Sequence, residues 1–231
     1  LDCYPELTVF YNGPKCGASC PDHLHLQAGT TGIVPIQAQW ARISRTARIV
    51  VSVADGEDIS VINGYVTPAM LVRARSKETF MQLFKTVYDA LDARGNHAEE
   101  PMMNVLAWRT AEETLCVIFP RKKHRPDCYA KSCMISPGAL DMAGLVITPR
   151  EEDFNALSPS DAASILREVA LSNEEVEEVA VTVAGIAEVA SDDELLMDHV
   201  PSVKVGIISG EEIRFTLNAP YDAKGETQTG E

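Results

Sequence analysis

Short runs of apolar residues, many of them alternating with polar residues, fill the first half of the chain. LTVFYNG at 7–13, HLHLQA at 23–28, ARIVVSVA at 47–54, EDISVING at 57–64 and PAMLVRAR at 68–75 predict β-strands, because successive side chains of a strand point to opposite faces. Gly, Asp and Asn between these runs predict turns. MNVLAWR at 103–109, ETLCVIFP at 113–120 and LVITP at 145–149 predict further strands. The pattern is typical of a largely antiparallel sheet.

Helical spacing replaces this alternation in SKETFMQLFKTVYDALDARG, residues 76–95. Ser76 is predicted to cap the helix at its N-terminus, and Gly95 to stop it. One apolar stripe is predicted to cover the sheet, and it consists of Phe80, Leu83, Phe84, Val87, Tyr88 and Leu91. EEDFNAL at 151–157 predicts another helix. Together these elements predict an α+β fold, an antiparallel sheet with packed helices.

The pattern changes after residue 157, and this change predicts three regions. The first is an α+β domain over 1–157. SPSDAASILREVAL and NEEVEEVAVTVAGIAEVA predict two helices within an acidic helical segment over 158–200. After Pro201, VKVGIIS and EEIRFTLN predict a β-hairpin that begins a separate segment over 201–231, away from the sheet.

Charge is distributed unevenly along the chain, whose net charge is −14 and whose pI is near 4.8. Residues 1–149 carry 15 acidic and 15 basic side chains, whereas residues 150–199 carry 14 and 2. This acidity argues against general nucleic-acid binding, which requires a basic face, and a solvated helical face explains it more simply. Within the neutral first part, RKKHR at 121–125 forms a basic cluster. It either meets a phosphorylated ligand or is a solvated loop.

No run approaches the eighteen apolar residues of a membrane span, and no basic-then-apolar leader opens the chain. We therefore expect no membrane span and a cytoplasmic protein. Because the chain begins with Leu1 and runs almost directly into a predicted strand, we also expect an upstream part to precede it.

Six cysteines are too few for a disulfide-rich scaffold in a chain of 231 residues. Cys16, Cys20 and His23 are close in sequence, and Cys128 and Cys133 form a second pair, so a structural zinc site is one interpretation. No C-x2-C pair occurs. Free or partly buried thiols are the alternative, and no cofactor is certain.

The segment HLHLQA contains the most unusual chemistry in the sequence. On a strand, His23, His25 and Gln27 would share one face, while Leu24 and Leu26 would point into the core. A neutral imidazole is a competent nucleophile toward phosphorus, and an amide can donate to phosphoryl oxygens where charge develops. The alternative is a hydrogen-bonded surface strand without catalytic activity.

The longer segment NGPKCGASCPDHLHLQ resembles the active-site segment of the galactose-1-phosphate uridylyltransferase branch of the histidine-triad superfamily, and HLHLQA is most similar to that of the GDP-hexose phosphorylases. CVIFPRKKHRP and SPGALDMAGLVITPREEDF extend the resemblance over residues 8 to 157. Cys20 stands where the family usually has Asn, and Asp22 is an added residue. With the tail from VKVGIIS onward, the arrangement is similar to Bacteroidetes-type proteins that carry a SpoIID/LytB-like domain.

The resemblance implies a nucleotidyltransferase or phosphorylase that acts on a nucleoside diphosphate sugar or a dinucleotide. It implies that His25 is the nucleophile and that Gln27 binds the transferred phosphoryl group. His23 would orient the segment or join Cys16 or Cys20 on a metal. The phosphate-binding residues would be Arg121, Lys122 and Lys123. The half of the family fold that grips the base and ribose would precede the motif.

Two other classes of function stay open from the sequence. One is a nucleotide-binding module without catalysis, and the other is a cell-wall-associated interaction protein, which the SpoIID-like tail favours. The presence of both His25 and Gln27 favours the enzyme.

Overall fold

The computed structural model describes residues 1–95 and 100–192, and its centre is a single antiparallel sheet. The strand order across the sheet is β2-β1-β6-β7-β5-β4-β3, with antiparallel pairing throughout. The strands are β1 (Leu7–Asn12), β2 (Gln27–Thr30), β3 (Ala47–Ala54), β4 (Glu57–Ile62), β5 (Ala69–Ala74), β6 (Met103–Arg109) and β7 (Thr114–Pro120). The predicted α+β class and the antiparallel sheet are thereby confirmed.

Helices cover both faces of this sheet. They are α1 (Pro35–Ala38), α2 (Trp40–Ile43), α3 (Lys77–Asp92), α4 (Ala139–Met142), α5 (Glu151–Ala156), α6 (Pro159–Val169) and α7 (Asn173–Asp192). One core packs α3 and α7 against the sheet. On the opposite face, a second core contains buried residues of α1, α2, α4 and α6.

The central strand β7 shows why its sequence is apolar without interruption. Cys116 and Ile118 belong to the core under α3 and α7. Leu115, Val117 and Phe119 belong to the core on the other face. Because both faces are covered, these positions are all buried, and no polar residue alternates with the apolar ones.

Helix α3 agrees with its prediction in detail. The Ser76 hydroxyl accepts a hydrogen bond from the Thr79 backbone N–H at 3.0 Å, so it caps the helix as expected. The helix ends at Asp92, shortly before Gly95. Leu83, Val87 and Leu91 are buried against the sheet.

Two predicted strands differ in the structure. β2 begins only at Gln27, so residues 23–26 lie outside the sheet. LVITP is not a strand, because its backbone is bonded elsewhere. The Leu145 N–H donates to the Leu140 carbonyl, and the Ile147 N–H donates to the Asp141 carboxylate at 2.7 Å.

The two acidic helices form part of both cores. Leu166 and Val169 of α6 are buried on one face of the sheet, and Val176, Val179 and Val183 of α7 on the other. The predicted division after residue 157 gains no support from this packing. The predicted hairpin over 201–231 lies outside the described residues. None of the helices described here is both long enough and apolar enough to cross a membrane.

Candidate active site at the ends of β1 and β2

The candidate site is built where β1 ends and β2 begins. β1 leads into a turn at Gly13, where the Cys16 N–H donates to the Gly13 carbonyl at 2.8 Å. β2 then pairs antiparallel with β1, and Gln27 lies opposite Phe10. The prediction that His23, His25 and Gln27 share one strand is therefore wrong for the histidines. Leu24 is 64% exposed and not in the core, whereas Leu26 packs against it as predicted.

The two histidines nevertheless lie together at the surface. Their ring centroids are 5.3 Å apart, and Nδ1 of His25 is 3.2 Å from the His23 carbonyl oxygen. A carbonyl oxygen can only accept, so this contact assigns the proton of a neutral His25 ring to Nδ1. The unprotonated Nε2 then carries the lone pair that a nucleophile needs. His25 is half-buried and His23 is exposed.

A row of amides connects Gln27 to the middle of the sheet. Asn12 and Asn104 are directly opposite each other on β1 and β6. The Asn104 side-chain Nδ2 donates to the Asn12 Oδ1 at 2.9 Å and to the Cys16 carbonyl at 2.7 Å. The Asn12 Nδ2 in turn donates to the Gln27 Oε1 at 3.4 Å. Asn104 is fully buried, and Arg121 donates to its Oδ1.

Two glycines allow the surrounding chain to approach this row. Gly17 has a φ of +85°, in the left-handed region, and a Cβ there would lie 2.6 Å from the Pro137 carbonyl oxygen. A Cβ on Gly138 would lie 3.0 Å from the Asn12 Oδ1. Because both side chains are absent, α4 can begin close to Asn12, and the Ala139 N–H donates to the Asn12 Oδ1 at 2.7 Å.

The three residues predicted to bind phosphate have other partners in the structure. Arg121 is only 4% exposed, and its guanidinium donates to backbone and side-chain oxygens of the protein. Lys122 pairs with Glu175 of α7 at 3.2 Å. Lys123 pairs with Asp127 and with Glu168 of α6. The acidic helices thus neutralise part of the basic cluster.

The cysteines do not assemble a metal site among the residues described. Cys16 is buried, whereas Cys20 and His23 are exposed. Within 1–95 and 100–192, no three His, Cys, Asp or Glu side chains come together in a way that could hold a metal ion. Cys128 and Cys133 form a disulfide with their Cα atoms 5.5 Å apart, so the free-thiol expectation is wrong for this pair.

Two adjoining cavities open beside the turn. The smaller, of about 130 Å³, is lined by Asn12, His23 and Leu24 among others. The larger, of about 310 Å³, lies between Gly13–Cys16 and residues 100–102. Glu100 borders both cavities.

A tyrosine holds this shared carboxylate. The Tyr11 hydroxyl is 2.8 and 2.7 Å from the two Glu100 oxygens and donates its proton to them. Burial raises the pKa of the Glu100 carboxyl, and the hydrogen bond from Tyr11 partly offsets this effect. Burial, followed by the contact with Glu100, raises the pKa of the Tyr11 phenol. The cavities therefore have a carboxylate at their common wall.

Sequence reasoning missed Asn104, Glu100 and the role of Asn12. A signal did exist for Asn104, since it is the one amide in the apolar run MNVLAWR. Burying an amide is costly unless it is hydrogen-bonded, so such a residue indicates a polar partner inside the fold. Glu100 carried no such signal, because its position at both cavities depends on how β6 is placed beside β1.

Comparisons with known proteins identify the family of the chain. Residues 1–30 match a domain of unknown function, DUF4922, and residues 42–190 match the GDPGP1-like, C-terminal domain. No curated protein gives a significant match. A similar solved structure is the crystal structure of yeast Ap4A phosphorylase Apa2, with 17% sequence identity and a TM-score of 0.47 over 71% of this chain. The chain spans 56% of that structure. Since the match over 42–190 covers well over half of the 231 residues, the chain belongs to the GDPGP1-like, C-terminal domain family.

Proposed function

We propose that the protein is a nucleotidyltransferase or phosphorylase of the histidine-triad superfamily. Its donor would be a nucleoside diphosphate sugar or a dinucleotide, and its acceptor phosphate or a sugar phosphate. The family match supports nucleotide phosphorylase or transferase chemistry in general, in agreement with the resemblance of the motif. The observation that carries the proposal is the position of His25, at the surface with its Nδ1 against the His23 carbonyl and two residues from a hydrogen-bonded Gln27.

The reaction would proceed by two displacements at one phosphorus atom. In the first, Nε2 of His25 attacks the α-phosphorus of the donor, a P–N bond forms, and the bridging P–O bond breaks with its electrons going to the leaving phosphate. In the second, an oxygen of the acceptor attacks the same phosphorus and releases the imidazole. The configuration at phosphorus is retained overall, and the kinetics are ping-pong.

Gln27 would stabilise the charge that develops on the phosphoryl oxygens. Its Oε1 accepts from Asn12, which leaves the Nε2 protons to donate to those oxygens. His23 would hold the His25 ring through its carbonyl. In this proposal Arg121 does not contact phosphate, because its donors already meet protein oxygens, and Lys122 and Lys123 would exchange carboxylate partners for phosphate.

The test is the covalent intermediate itself. The protein is mixed with radiolabelled nucleoside diphosphate hexoses or dinucleotides without an acceptor, and the adduct is measured after denaturation. We expect a label that acid removes and base does not, as for a P–N bond to histidine. His25→Ala should abolish the label without unfolding the protein, because this half-exposed side chain loses little packing.

The matched control is His124→Gln, a histidine outside the row of amides, which should keep the label. Equal labelling of His25→Ala and wild type would reject His25 as the nucleophile. Tight nucleotide binding with no label in any variant would instead favour a nucleotide-binding module without catalysis.

A further inference from the structure

Arg121 is the starting point of a hydrogen-bond chain whose direction can be assigned. Its guanidinium donates to the Asn104 Oδ1, to the Pro137 carbonyl at 2.9 Å, and to the Val169 carbonyl at 3.3 Å. It also donates to the carbonyls of Lys123 and His124, each at 3.2 Å. An arginine side chain has only donors. The atom of Asn104 that faces Arg121 must therefore be the oxygen, and its Nδ2 must face the other way.

The next link follows from the first. The Asn104 Nδ2 contacts the Asn12 side chain and the Cys16 carbonyl oxygen. Because a carbonyl oxygen can only accept, the atom of Asn104 that contacts it must be the NH₂ nitrogen. Asn12 must then present its oxygen to Asn104. A second obligate donor, the Ala139 backbone N–H at the start of α4, meets the same Asn12 oxygen at 2.7 Å. Two independent donors thus fix the orientation of the Asn12 amide.

The last link reaches the candidate site. With its oxygen fixed, Asn12 directs Nδ2 at Gln27, whose Oε1 accepts at 3.4 Å. We propose that Arg121 is a positioning residue, which acts through Asn104 and Asn12 to turn the Gln27 amide so that its NH₂ group, and not its oxygen, is presented to the substrate. This inference rests on the proposed function, because it assigns a purpose to Gln27 in that reaction.

The direction of the Gln27 amide decides whether this residue helps or hinders the reaction. An NH₂ group donates to a phosphoryl oxygen that gains charge, whereas an amide oxygen in the same place repels it. A free amide can rotate between the two orientations at little cost. The buried arginine removes this choice before any ligand binds, and such preorganisation avoids a cost during the reaction.

Asn104→Asp tests the relay with minimal change of shape. The carboxylate of this variant still accepts from Arg121, but it has no donor for the Asn12 oxygen or the Cys16 carbonyl. We expect adduct formation to slow by about one hundredfold, the scale for loss of a donor to a developing oxyanion, as for Gln27→Ala. The double variant Asn104→Asp with Gln27→Ala should be no slower than Gln27→Ala alone, because both changes remove the same interaction. If the double variant formed the adduct more slowly than Gln27→Ala, by the product of the two single losses in rate, the proposal would be overturned.

Neutron diffraction from deuterium-exchanged crystals of the wild-type protein gives a second test, which needs neither folding of a variant nor activity. We expect deuterium on the Gln27 side-chain atom that points away from Asn12. Deuterium on the atom facing Asn12 would overturn the proposed direction. If the wild type forms no adduct, the proposed function fails, and the neutron result still decides the orientation separately.

Discussion

Four of the six cysteines carry free thiols, and these four lie in different surroundings. Cys3 and Cys20 are exposed, whereas Cys16 and Cys116 are buried. Burial raises the pKa of the Cys16 thiol to about 11, because the thiolate loses its solvation, and nearby Arg121 offsets only part of this effect. Burial raises the pKa of Cys116 as well. Since the thiolate is the reactive form, the buried pair should be inert at neutral pH.

We predict that a chromogenic disulfide reagent at pH 8 labels two thiols quickly in the native protein and four after denaturation. Labelling of Cys16 should accelerate as the pH rises toward about 11, because the thiolate fraction grows there. Cys3→Ser should remove one of the two fast thiols and serves as the control. Four fast thiols in the native protein at pH 8 would show that Cys16 is not buried in solution.

At the scale of an element, α3 connects a local sequence signal to the core. Its first turn is capped by Ser76, and its apolar face packs against the sheet and α7. The cap satisfies a backbone N–H that has no partner within the helix. Packing supplies most of the stability of such a helix, and the cap defines where it starts.

Ser76→Ala should lower the free energy of unfolding by about 1 kcal/mol, the usual effect of losing an N-cap side chain. Ser76→Asp keeps an oxygen that can accept from Thr79 and should be close to wild type. Urea denaturation followed by circular dichroism measures both variants. Equal losses for Ala and Asp would mean that the Ser76 hydroxyl contributes nothing specific to the cap.

At the scale of the molecule, the acidic helices meet basic side chains from the neutral first part of the chain in the fold. Acidic residues of α6 and α7 pair with Lys122, Lys123, Arg48 and Arg94, which belong to the neutral first part of the chain. Exposed ion pairs contribute little stability individually. The apolar side of the same helices matters more, because it completes both cores of the sheet.

A chain ended after residue 157 should therefore fail to fold cooperatively. It would lack Leu166, Val169, Val176, Val179 and Val183, whose burial contributes about 1.5 to 3 kcal/mol each, a sum comparable with the whole stability of a typical domain. A chain ended after Asp192 keeps both helices and is the matched control. A sharp thermal transition for the 157-residue chain would establish the domain boundary that the sequence suggested.

The sequence by itself determined β1, the strands from β3 to β7, helix α3 with its cap, and the motif around His25 and Gln27. These features depend on local periodicity and on residue types that are adjacent in the chain, so no knowledge of distant contacts is needed. The H-x-H-x-Q spacing suggested histidine chemistry at phosphorus, and this stays a prediction.

Only the tertiary structure decided which partners these residues contact. The Nδ1 atom of the His25 ring contacts the His23 carbonyl oxygen. Strand β2 begins at Gln27, two residues after His25. Arg121 was expected to bind phosphate as part of a basic cluster, yet β7 places it beside Asn104, inside the fold. Lys122 and Lys123 meet carboxylates that are more than 40 residues away. Such partners depend on strand order and helix packing, and the local pattern of a sequence does not contain them.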